Sequence, residues 1–370
     1  MRSNKKLFEK EPRKCEAKEI VSSVSIILMK RGSAMTNNNG FVRRLPRKIR
    51  VSFGSAVVLG LTKAMLNAKP TTIYLLTFHS GKCSANCGFC PQARKSRGRA
   101  DMLSRVTWPT FSTERVLSGI KNTVKSIGRI CIQALNYPTV FEDIVYITEE
   151  IFSRVSTPIS VSCQPINREE MKRLYEAGVE RMCVPLDAAI EELFNRVKGR
   201  LADGPYVWER QRKALKDAVH IFGKNSVSTH LIVGLGESEG EIIRTIQWCV
   251  DLGVYPGLFA FTPILGTALE NHPQPSISRY RRVQIAHYLI TNGKTCCDEM
   301  LFDEEGMLKD FGIPREQLWQ VIRTGKPFLT SGCPGCNRPY YNERPSGPLY
   351  NYPKQPFPEE MVEIEKQIRL

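Results

Sequence analysis

The chain has 370 residues, of which 42% are hydrophobic and 9% aromatic, and its formal net charge is +16. This length and hydrophobic content allow a sizeable buried core and exclude a wholly disordered protein. Twelve cysteines without a convincing signal peptide favour a reducing cytoplasm, where clustered thiols more often bind metal or catalyse than form disulfides. No apolar stretch is long enough to span a bilayer, because the longest candidate, residues 20–28, is short and interrupted by serines.

The amino-terminal part of the chain differs from the rest. Residues 1–40 mix basic and acidic side chains without periodicity, so we predict that this extension is disordered, with Met35 as a plausible second start. Residues 41–70 form a lead-in to the folded region. The basic runs at 43–50 and 94–99 indicate either a solvated face or a surface for an anionic ligand or an acidic partner.

Strand-like and helix-like segments alternate after residue 70. The hydrophobic periodicity predicts strands at 71–78, 129–135, 159–163, 179–185, 227–234 and 257–262, and helices at 140–152, 169–177, 187–197, 207–222, 239–252 and 279–292. Repeated strand–helix units predict an α/β fold with a parallel sheet inside and helices outside. Six units fit a partial (β/α)6 TIM-like barrel over residues 71–295, with residues 296–370 as a cysteine-containing C-terminal extension.

A loop with three cysteines, Cys83, Cys87 and Cys90, directly follows the first predicted strand. Iron–sulfur clusters are usually held by four thiolates, so three at this spacing suit a cubane cluster that keeps one iron open. Structural zinc is the alternative, because a second pair, Cys333 and Cys336, completes the number of thiols that zinc needs. We favour the cluster, since a zinc site on the first motif would leave its third cysteine unexplained.

The second cysteine pair lies in a region, 328–353, that has no helical or strand period but is dense in Pro, Tyr and Asn. Disordered tails rarely carry so many aromatic residues, so we predict that packing or metal orders it. Cys333 and Cys336 supply half of a ligand set. Cys131 and Cys163 are the first choice for the other half, because they lie on adjacent predicted strands at similar depth.

Other candidates for this second site are weaker. The pair Cys296 and Cys297 is the second choice because it follows the last predicted barrel helix. His230 is a third candidate, although a hydrogen-bonded histidine at the barrel mouth is the simpler interpretation. The remaining cysteines are interpreted as small hydrophobic residues or bystanders, namely Cys15, Cys183 and Cys249.

The cysteine loop, Phe89 before its last cysteine and the run His230–Glu237 at the fifth strand together resemble the radical S-adenosylmethionine (SAM) superfamily. The resemblance covers roughly residues 70–270, judged from the strand–helix pattern. It implies a [4Fe–4S] cluster whose open iron binds SAM. One electron from this cluster would cleave SAM to methionine and a 5′-deoxyadenosyl radical, which abstracts hydrogen from the substrate.

The same resemblance implies that four further residues contact the cofactor: Phe89, Asp187, Gly234 and Glu237. Each of the last three has a plainer interpretation. Gly234 and Glu237 suit a strand-to-helix turn, and Asp187 suits the cap of the following helix.

Within this superfamily, Cys-Pro-Gln at the last cysteine and the run Ile264–Leu269 look most like biotin synthase. By that resemblance, Cys131 and Cys163 match two ligands of a second cluster, and His230 stands at the third. The substrate motif departs from the family, since it is Cys183-Val-Pro-Leu-Asp187 and lacks two asparagines. Asparagine supplies the donor and acceptor that a ureido ring requires, so dethiobiotin is disfavoured as a substrate.

The tail from Cys333 to Pro345 is similar to that of the archaeal-type two-component lipoyl synthases, and this resemblance covers nearly the whole chain from residue 41. It implies sulfur insertion into an octanoyl chain on a lysine of an acidic lipoyl carrier protein, with a second iron–sulfur cluster, expected to be [4Fe–4S], as sulfur donor. It also implies a paralogous lipoyl synthase subunit and an electron donor such as ferredoxin.

Three alternatives to this function stay open on the residues alone. They are a biotin synthase-like enzyme with another small substrate, a tRNA-thiolating radical enzyme and a zinc-stabilised nucleic-acid-binding protein. The charge of +16 suits the last two, but the chain carries no appended RNA-binding module, which disfavours nucleic acid as a partner.

Overall fold

A computed structural model describes residues 46–123 and 127–368. The predicted disorder of residues 1–40, the first five residues of the lead-in (41–45) and Cys15 lie outside the described residues. Within those two ranges, no helix has both the length and the apolar character that a membrane span requires.

Eight strands form the central sheet. The strands of the described chain are β1 (Lys48–Val51), β2 (Thr72–Thr77), β3 (Met102–Leu103), β4 (Val106–Thr107), β5 (Thr110–Ser112), β6 (Arg129–Gln133), β7 (Ile159–Ser162), β8 (Val179–Cys183), β9 (Val227–Val233), β10 (Val254–Ala260), β11 (Leu301–Phe302) and β12 (Leu308–Asp310). The sheet order is β10-β9-β8-β7-β6-β2-β1-β5, in which β2 and β6 to β10 are parallel and β1 is antiparallel to both β2 and β5. Six parallel strands make a partial (β/α)6 barrel, an α/β fold, as the sequence predicts.

Helices follow the parallel strands. Those of the described chain are α1 (Phe53–Val58), α2 (Thr113–Thr123), α3 (Val140–Arg154), α4 (Arg168–Glu176), α5 (Glu191–Val197), α6 (Trp208–Phe222), α7 (Glu239–Leu252), α8 (Ile277–Thr291), α9 (Arg315–Arg323) and α10 (Pro358–Gln367). Capping boxes begin α4 at Asn167 and α7 at Ser238, and Gly253 ends α7 with a φ of 84°. These local signals explain why the predicted bounds of α7 match the observed ones.

Side chains alternate between the two faces of each strand. On β6, Ile130 and Ile132 join the apolar layer between the sheet and the helices, whereas Cys131 and Gln133 line the interior cavity. A period of two requires this division. The helix side of the sheet is therefore an ordinary hydrophobic core, and the interior is free to carry polar and sulfur-containing residues.

The predicted strands all occur, with ends that shift by a few residues. Helix α5 is the clearest difference, because it begins at Glu191 and not at residue 187. Asp187 has a φ of 67°, and its amide donates to the carbonyl of His230 at 2.7 Å, so this residue pairs with β9. The interpretation of Asp187 as a helix cap is wrong, since Ile190 occupies that position.

The C-terminal extension packs on the barrel through α8. Fully buried Arg281 donates to the carbonyl of Tyr350 at 2.7 Å, and the hydroxyl of Tyr280 donates to Asn351 at 3.0 Å. Phe328 and Ile364 belong to the same apolar cluster as α8. The extension therefore shares a hydrophobic core with the last barrel helix.

Candidate metal and cofactor site

The loop with Cys83, Cys87 and Cys90 follows β2, at the carboxyl end of the parallel strands, where barrel enzymes carry their reactive groups. All three cysteines are half-buried. The amide of Cys83 donates to the carbonyl of Gln92 at 2.9 Å, and the amide of Cys90 donates to that of Cys87 at 3.0 Å. These bonds fold the loop on itself and hold three thiols on a short stretch of chain.

Neighbouring elements fix this loop in place. The amide of Gly88 donates to the carbonyl of Val197 at the end of α5 (2.7 Å), and the carbonyl of Gly88 accepts from Leu269, after β10 (3.0 Å). From the segment after β6, the amide of Asn136 donates to Sγ of Cys83 at 3.1 Å. The loop is thus bound to segments that follow three other strands of the barrel, β6, β8 and β10, which restricts the positions of its thiols.

A cavity of about 220 Å³ lies inside the barrel and is lined by both cysteine motifs. Eight of the eleven described cysteines line it, namely Cys83, Cys87, Cys90, Cys131, Cys163, Cys183, Cys333 and Cys336. The structure therefore brings together all seven cysteines predicted as ligands. It does not bring Cys296 and Cys297 to this cavity, because Cys297 lies beside α7, with its amide on Gln247 at 3.0 Å.

The tail cysteines contact interior residues of the barrel strands. Sγ of Cys336 lies 3.2 Å from the hydroxyl of Tyr74, and Sγ of Cys333 lies 3.6 Å from Oγ of Ser160. Cys131 pairs with both of those residues in the sheet register. Burial, with the nearby charges of Cys333 and Cys336, raises the pKa of Cys131 well above its usual range. Cys131 and the tail pair therefore form one group of thiols.

Cys163 and Cys183 are neighbours at the ends of β7 and β8, where the amide of Cys163 donates to the carbonyl of Cys183 at 3.1 Å. Cys163 shares the helix-facing layer with Ile159 and Val161, and the pKa of its thiol is raised to about 12 by burial and by Cys183, without a contribution from the tail cysteines. Burial raises the pKa of Cys183 to about 12 as well, and the charge of Cys333 adds to this effect. Cys183 is buried, in line with its interpretation as a small hydrophobic residue, and it also lines the cavity, as Cys163 does.

Asp187 forms a buried ion pair that the sequence did not reveal. Its Oδ2 accepts from Nζ of Lys198 at 2.6 Å, and Lys198 has no exposed side-chain surface. The same ammonium donates to the carbonyl of Pro185 at 2.9 Å and lies 4.9 Å from the centre of the Tyr206 ring. Asp187 lines the cavity close to the cysteine loop, since Val197, next to Lys198, binds Gly88.

Gly234 and Glu237 form the turn after β9. The carboxylate of Glu237 accepts from the amides of Gly234 (2.7 Å) and Leu235 (2.9 Å) and pairs with Arg279 at 3.1 Å. Gly234 has a φ of 102°, and an added Cβ would lie 2.7 Å from Pro275. The turn interpretation therefore holds for both residues. Neither lines the main cavity, whereas Phe89 does, and cofactor contact by these residues stays a prediction.

The tail also carries an arginine and a tyrosine into the cavity, and sequence reasoning missed both. The guanidinium of Arg338 lies 3.8 Å from the centre of the Phe259 ring, and Tyr341 contacts the same ring edge-on at 5.6 Å. His230 also packs against Phe259, with 4.7 Å between the two ring centres. Burial lowers the pKa of His230 to about 4, so its imidazole is neutral at physiological pH.

The donor set of the cysteine loop fits an iron–sulfur cluster. Three free thiols on one loop face a cavity, and each thiolate of such a cluster binds its own iron atom. The described residues contain no group of three or more His, Cys, Asp or Glu side chains arranged around a single metal ion. Burial raises the pKa of Cys87 and brings that of Cys90 to about 12, so metal binding must release protons from both.

Comparison with known proteins agrees with this chemistry. Residues 77–249 match the family model of the radical SAM superfamily. The biotin synthase of Aquifex aeolicus (strain VF5) is 26% identical over 225 residues, which cover 60% of this chain and 64% of that protein. The biotin synthase of Methanococcus maripaludis (strain C5) is 29% identical over 230 residues, covering 59% and 66%. The chain thus spans less than two thirds of these relatives.

Among solved structures, the FeFe-hydrogenase maturase HydG from Carboxydothermus hydrogenoformans aligns with a TM-score of 0.46 and 18% identity, over 59% of this chain and 51% of that one. The radical SAM family implies a [4Fe–4S] cluster and SAM as cofactors, which the loop thiols suit. The cysteine loop, the parallel barrel and these relatives together support a radical SAM, biotin synthase-like protein.

Proposed function

We propose that this protein inserts sulfur into an octanoyl chain carried on a lysine of an acidic lipoyl carrier protein. A second iron–sulfur cluster, bound by the tail cysteines, is the sulfur donor. The observation that supports this proposal is that Cys333 and Cys336 line the same cavity as Cys83, Cys87 and Cys90. A substrate carbon in that cavity would lie within reach of both sites.

When bound, the first cluster with SAM supplies a radical that removes hydrogen from an unactivated carbon, and the second supplies the sulfide that bonds to that carbon. Phe259, Tyr341 and Leu76 line the cavity as apolar surfaces. Arg338 brings a positive charge close to Cys333 and Cys336, where thiolates accumulate negative charge.

Cys131, Cys333 and Cys336 are the proposed ligands of the second cluster, with Cys183 proposed as the fourth thiol in place of Cys163. Charges of Cys333 and Cys336 act on Cys131, and the charge of Cys333 acts on Cys183. Cys163 lies in the helix-facing layer. Replacing Cys183 by Ala should therefore lower the iron content of the second site, whereas Cys163→Ala should not.

The partners are part of the same proposal. A net charge of +16 suits an acidic carrier domain, because complementary charge accelerates and orients encounter. A paralogous subunit would add the other sulfur of lipoate, and a low-potential donor such as ferredoxin would supply electrons. A reducing cytoplasm is the compartment that keeps eight cavity thiols available for metal.

The direct test is an anaerobic assay with an octanoylated lipoyl-domain peptide, SAM and a reductant, read by mass spectrometry for the gain of one sulfur. The reconstituted protein should be brown, with about eight irons per chain, as two cubane clusters require. A colourless protein with stoichiometric zinc would refute the proposal and favour the zinc-stabilised nucleic-acid-binding alternative.

The second candidate is a biotin synthase-like reaction on another small substrate. The relatives named biotin synthase, at 26% and 29% identity, favour it. This candidate predicts that the brown protein cleaves SAM and transfers sulfur to a free small molecule, while the octanoylated peptide stays unchanged.

A further inference from the structure

We propose that a second cavity, between α1 and the tail, is the entrance for the acyl-lysine arm of the carrier protein. This inference rests on the proposed function, because it assigns a route for the octanoyl substrate. The cavity has a volume of about 250 Å³ and is lined by three segments: residues 52–70 around α1, residues 105–108 after β3, and residues 338–341 of the tail.

The two cavities share a wall. Tyr74, Gln133, Arg338 and Tyr341 line both of them, so each of these side chains has one surface toward the cysteines and another toward the entrance. Two of the four belong to the tail. An acyl chain that passes this wall would enter the cavity that both cysteine motifs line.

The lining of the second cavity suits an acyl chain. Leu66, Pro70, Val106 and Tyr340 contribute apolar surface. Beside them, Met65 is fully exposed, which leaves an apolar side chain in solvent near the proposed mouth. An exposed apolar residue next to an apolar cavity is a common feature of binding sites.

The charge around this entrance suits an acidic carrier. Segments 52–70 and 105–108 contain no Asp or Glu, and they carry Lys63, Lys69 and Arg105. The first two are exposed. A carrier that delivers its lysine arm here would thus meet basic side chains alone in both segments, whereas the basic run behind the cysteine loop is partly neutralised by Asp203, which pairs with Arg94 and Lys95.

One buried donor in this cavity matches the amide that joins an acyl chain to lysine. Trp108 lines the cavity and is only 1% exposed. Its Nε1 has no hydrogen-bond partner among the residues that the structure describes. Buried donors are nearly always paired, so an unpaired one indicates a missing acceptor. The carbonyl of the acyl-lysine amide would supply it.

The decisive experiment fills this cavity at Gly54, with a matched control at the same position. A Cβ at Gly54 meets only Pro70, at an ordinary 3.5 Å, so Gly54→Ala should behave as the parent protein. Gly54→Leu should lower sulfur insertion into the octanoylated peptide by about tenfold or more, because overfilled sites reject ligands by such factors. Its iron content and its cleavage of SAM should stay unchanged. Insertion by Gly54→Leu within about twofold of Gly54→Ala would overturn the inference.

A second measurement on the unaltered protein covers the case in which Gly54→Leu also loses iron. A peptide with an Nε-octanoyl-lysine that carries a diazirine next to the amide should crosslink to residues 105–108 or 338–341. Crosslinks confined to other segments would overturn the inference. Trp108→Phe should raise the KM for the peptide roughly two- to tenfold, as one lost hydrogen bond allows, with kcat retained. An unchanged KM would contradict the role of Nε1.

The two proposals fail in different ways. If the unaltered protein does not add sulfur to the peptide, the proposed function fails, while the crosslink still reports whether an acyl-lysine occupies this cavity. If sulfur is added but the crosslinks lie elsewhere, only the entrance is wrong.

Discussion

The two cysteine motifs reach the same cavity by different means. The loop at residues 81–98 is held by its own backbone bonds and by main-chain bonds from Val197 and Leu269. The tail is held through side chains of residues far away along the chain, since Tyr74 and Cys336 are 262 positions apart. A motif whose three cysteines lie on one short stretch of chain shows its spacing in the sequence and can be recognised there, whatever contacts hold it in place. A motif that depends on distant packing shows its partners only in the folded protein.

The largest expected effect is that removing one cysteine motif abolishes one activity and leaves the other intact. Replacing Cys333 and Cys336 together by Ala should abolish sulfur insertion but leave cleavage of SAM intact, because the loop thiols remain. Replacing Cys87 by Ala should abolish both activities. Iron should fall from about eight to about four per chain in the first variant. SAM cleavage is measured anaerobically by chromatography of its products, with circular dichroism as the control for folding. Loss of both activities in a folded tail variant would contradict this division.

The second-largest expected effect comes from the buried ion pair of Lys198 and Asp187, which lies next to the cysteine loop. Lys198→Met leaves the carboxylate of Asp187 buried and unpaired, which should lower the free energy of unfolding by about 3–5 kcal/mol. The double variant Lys198→Met with Asp187→Asn should lose less, since no charge is then buried alone. Urea unfolding measures both.

Arg196→Met is the matched control for Lys198→Met. Arg196 lies two residues before Lys198 and pairs with Glu192 in an exposed i,i+4 bridge. Such bridges contribute less than about 1 kcal/mol. If Lys198→Met costs no more than this control, the buried pair does not support the loop.

The sequence predicted the parallel strands and most helices because hydrophobic periodicity and capping residues act locally. It missed the start of α5, since the positive φ of Asp187 arises from pairing with β9 and not from its neighbours in sequence. Cys163 and Cys183 both line the cavity, so the choice of Cys163 as a ligand stays a prediction. Alternation along β7 groups Cys163 with Ile159 and Val161, on the helix side of the sheet.

Three other residues of the site were beyond prediction. Lys198 and Tyr341 reach the cavity region only through tertiary packing, and nothing in their local sequence distinguishes them from surface residues. Arg338 stands within the recognised tail motif, but its position over Phe259 depends on a contact between residues about eighty positions apart. Side chains placed by long-range packing are the part of a site that a single sequence leaves open.

The third effect concerns the tail and depends on pH. Burial raises the pKa of Glu343 to about 8, against the opposing charges of Arg338 and Arg281. The folded tail therefore prefers the protonated carboxyl, whereas the unfolded chain ionises at its ordinary, lower pKa. Its contribution to stability is fully present below the unfolded pKa and is lost as pH rises through about 8.

Glu343→Gln should remove this dependence. Between pH 6 and pH 9 the parent protein should lose more unfolding free energy than the variant, by about 1–3 kcal/mol, since each unit of pKa shift corresponds to about 1.4 kcal/mol. Comparing the two proteins by urea unfolding cancels the other titrating groups. Glu304→Gln, at an exposed carboxylate, is the control and should follow the parent protein. Parallel curves for Glu343→Gln and the parent protein would mean that Glu343 is ionised in the folded tail.

The smallest effect tests how the tail is attached near the start of β2. Oδ1 of Asn337 accepts from the amide of Thr71 at 3.0 Å, and its Nδ2 donates to the carbonyl of Lys69 at 2.8 Å. Both bonds lie near the surface, so Asn337→Ala should cost only about 1 kcal/mol. That cost should appear as faster amide hydrogen exchange across residues 329–342, while the cysteine loop exchanges as before. If amide exchange in the tail is unchanged in Asn337→Ala, the bonds of Asn337 are dispensable. The contacts of Tyr74 and Arg338 would then be sufficient to attach the tail.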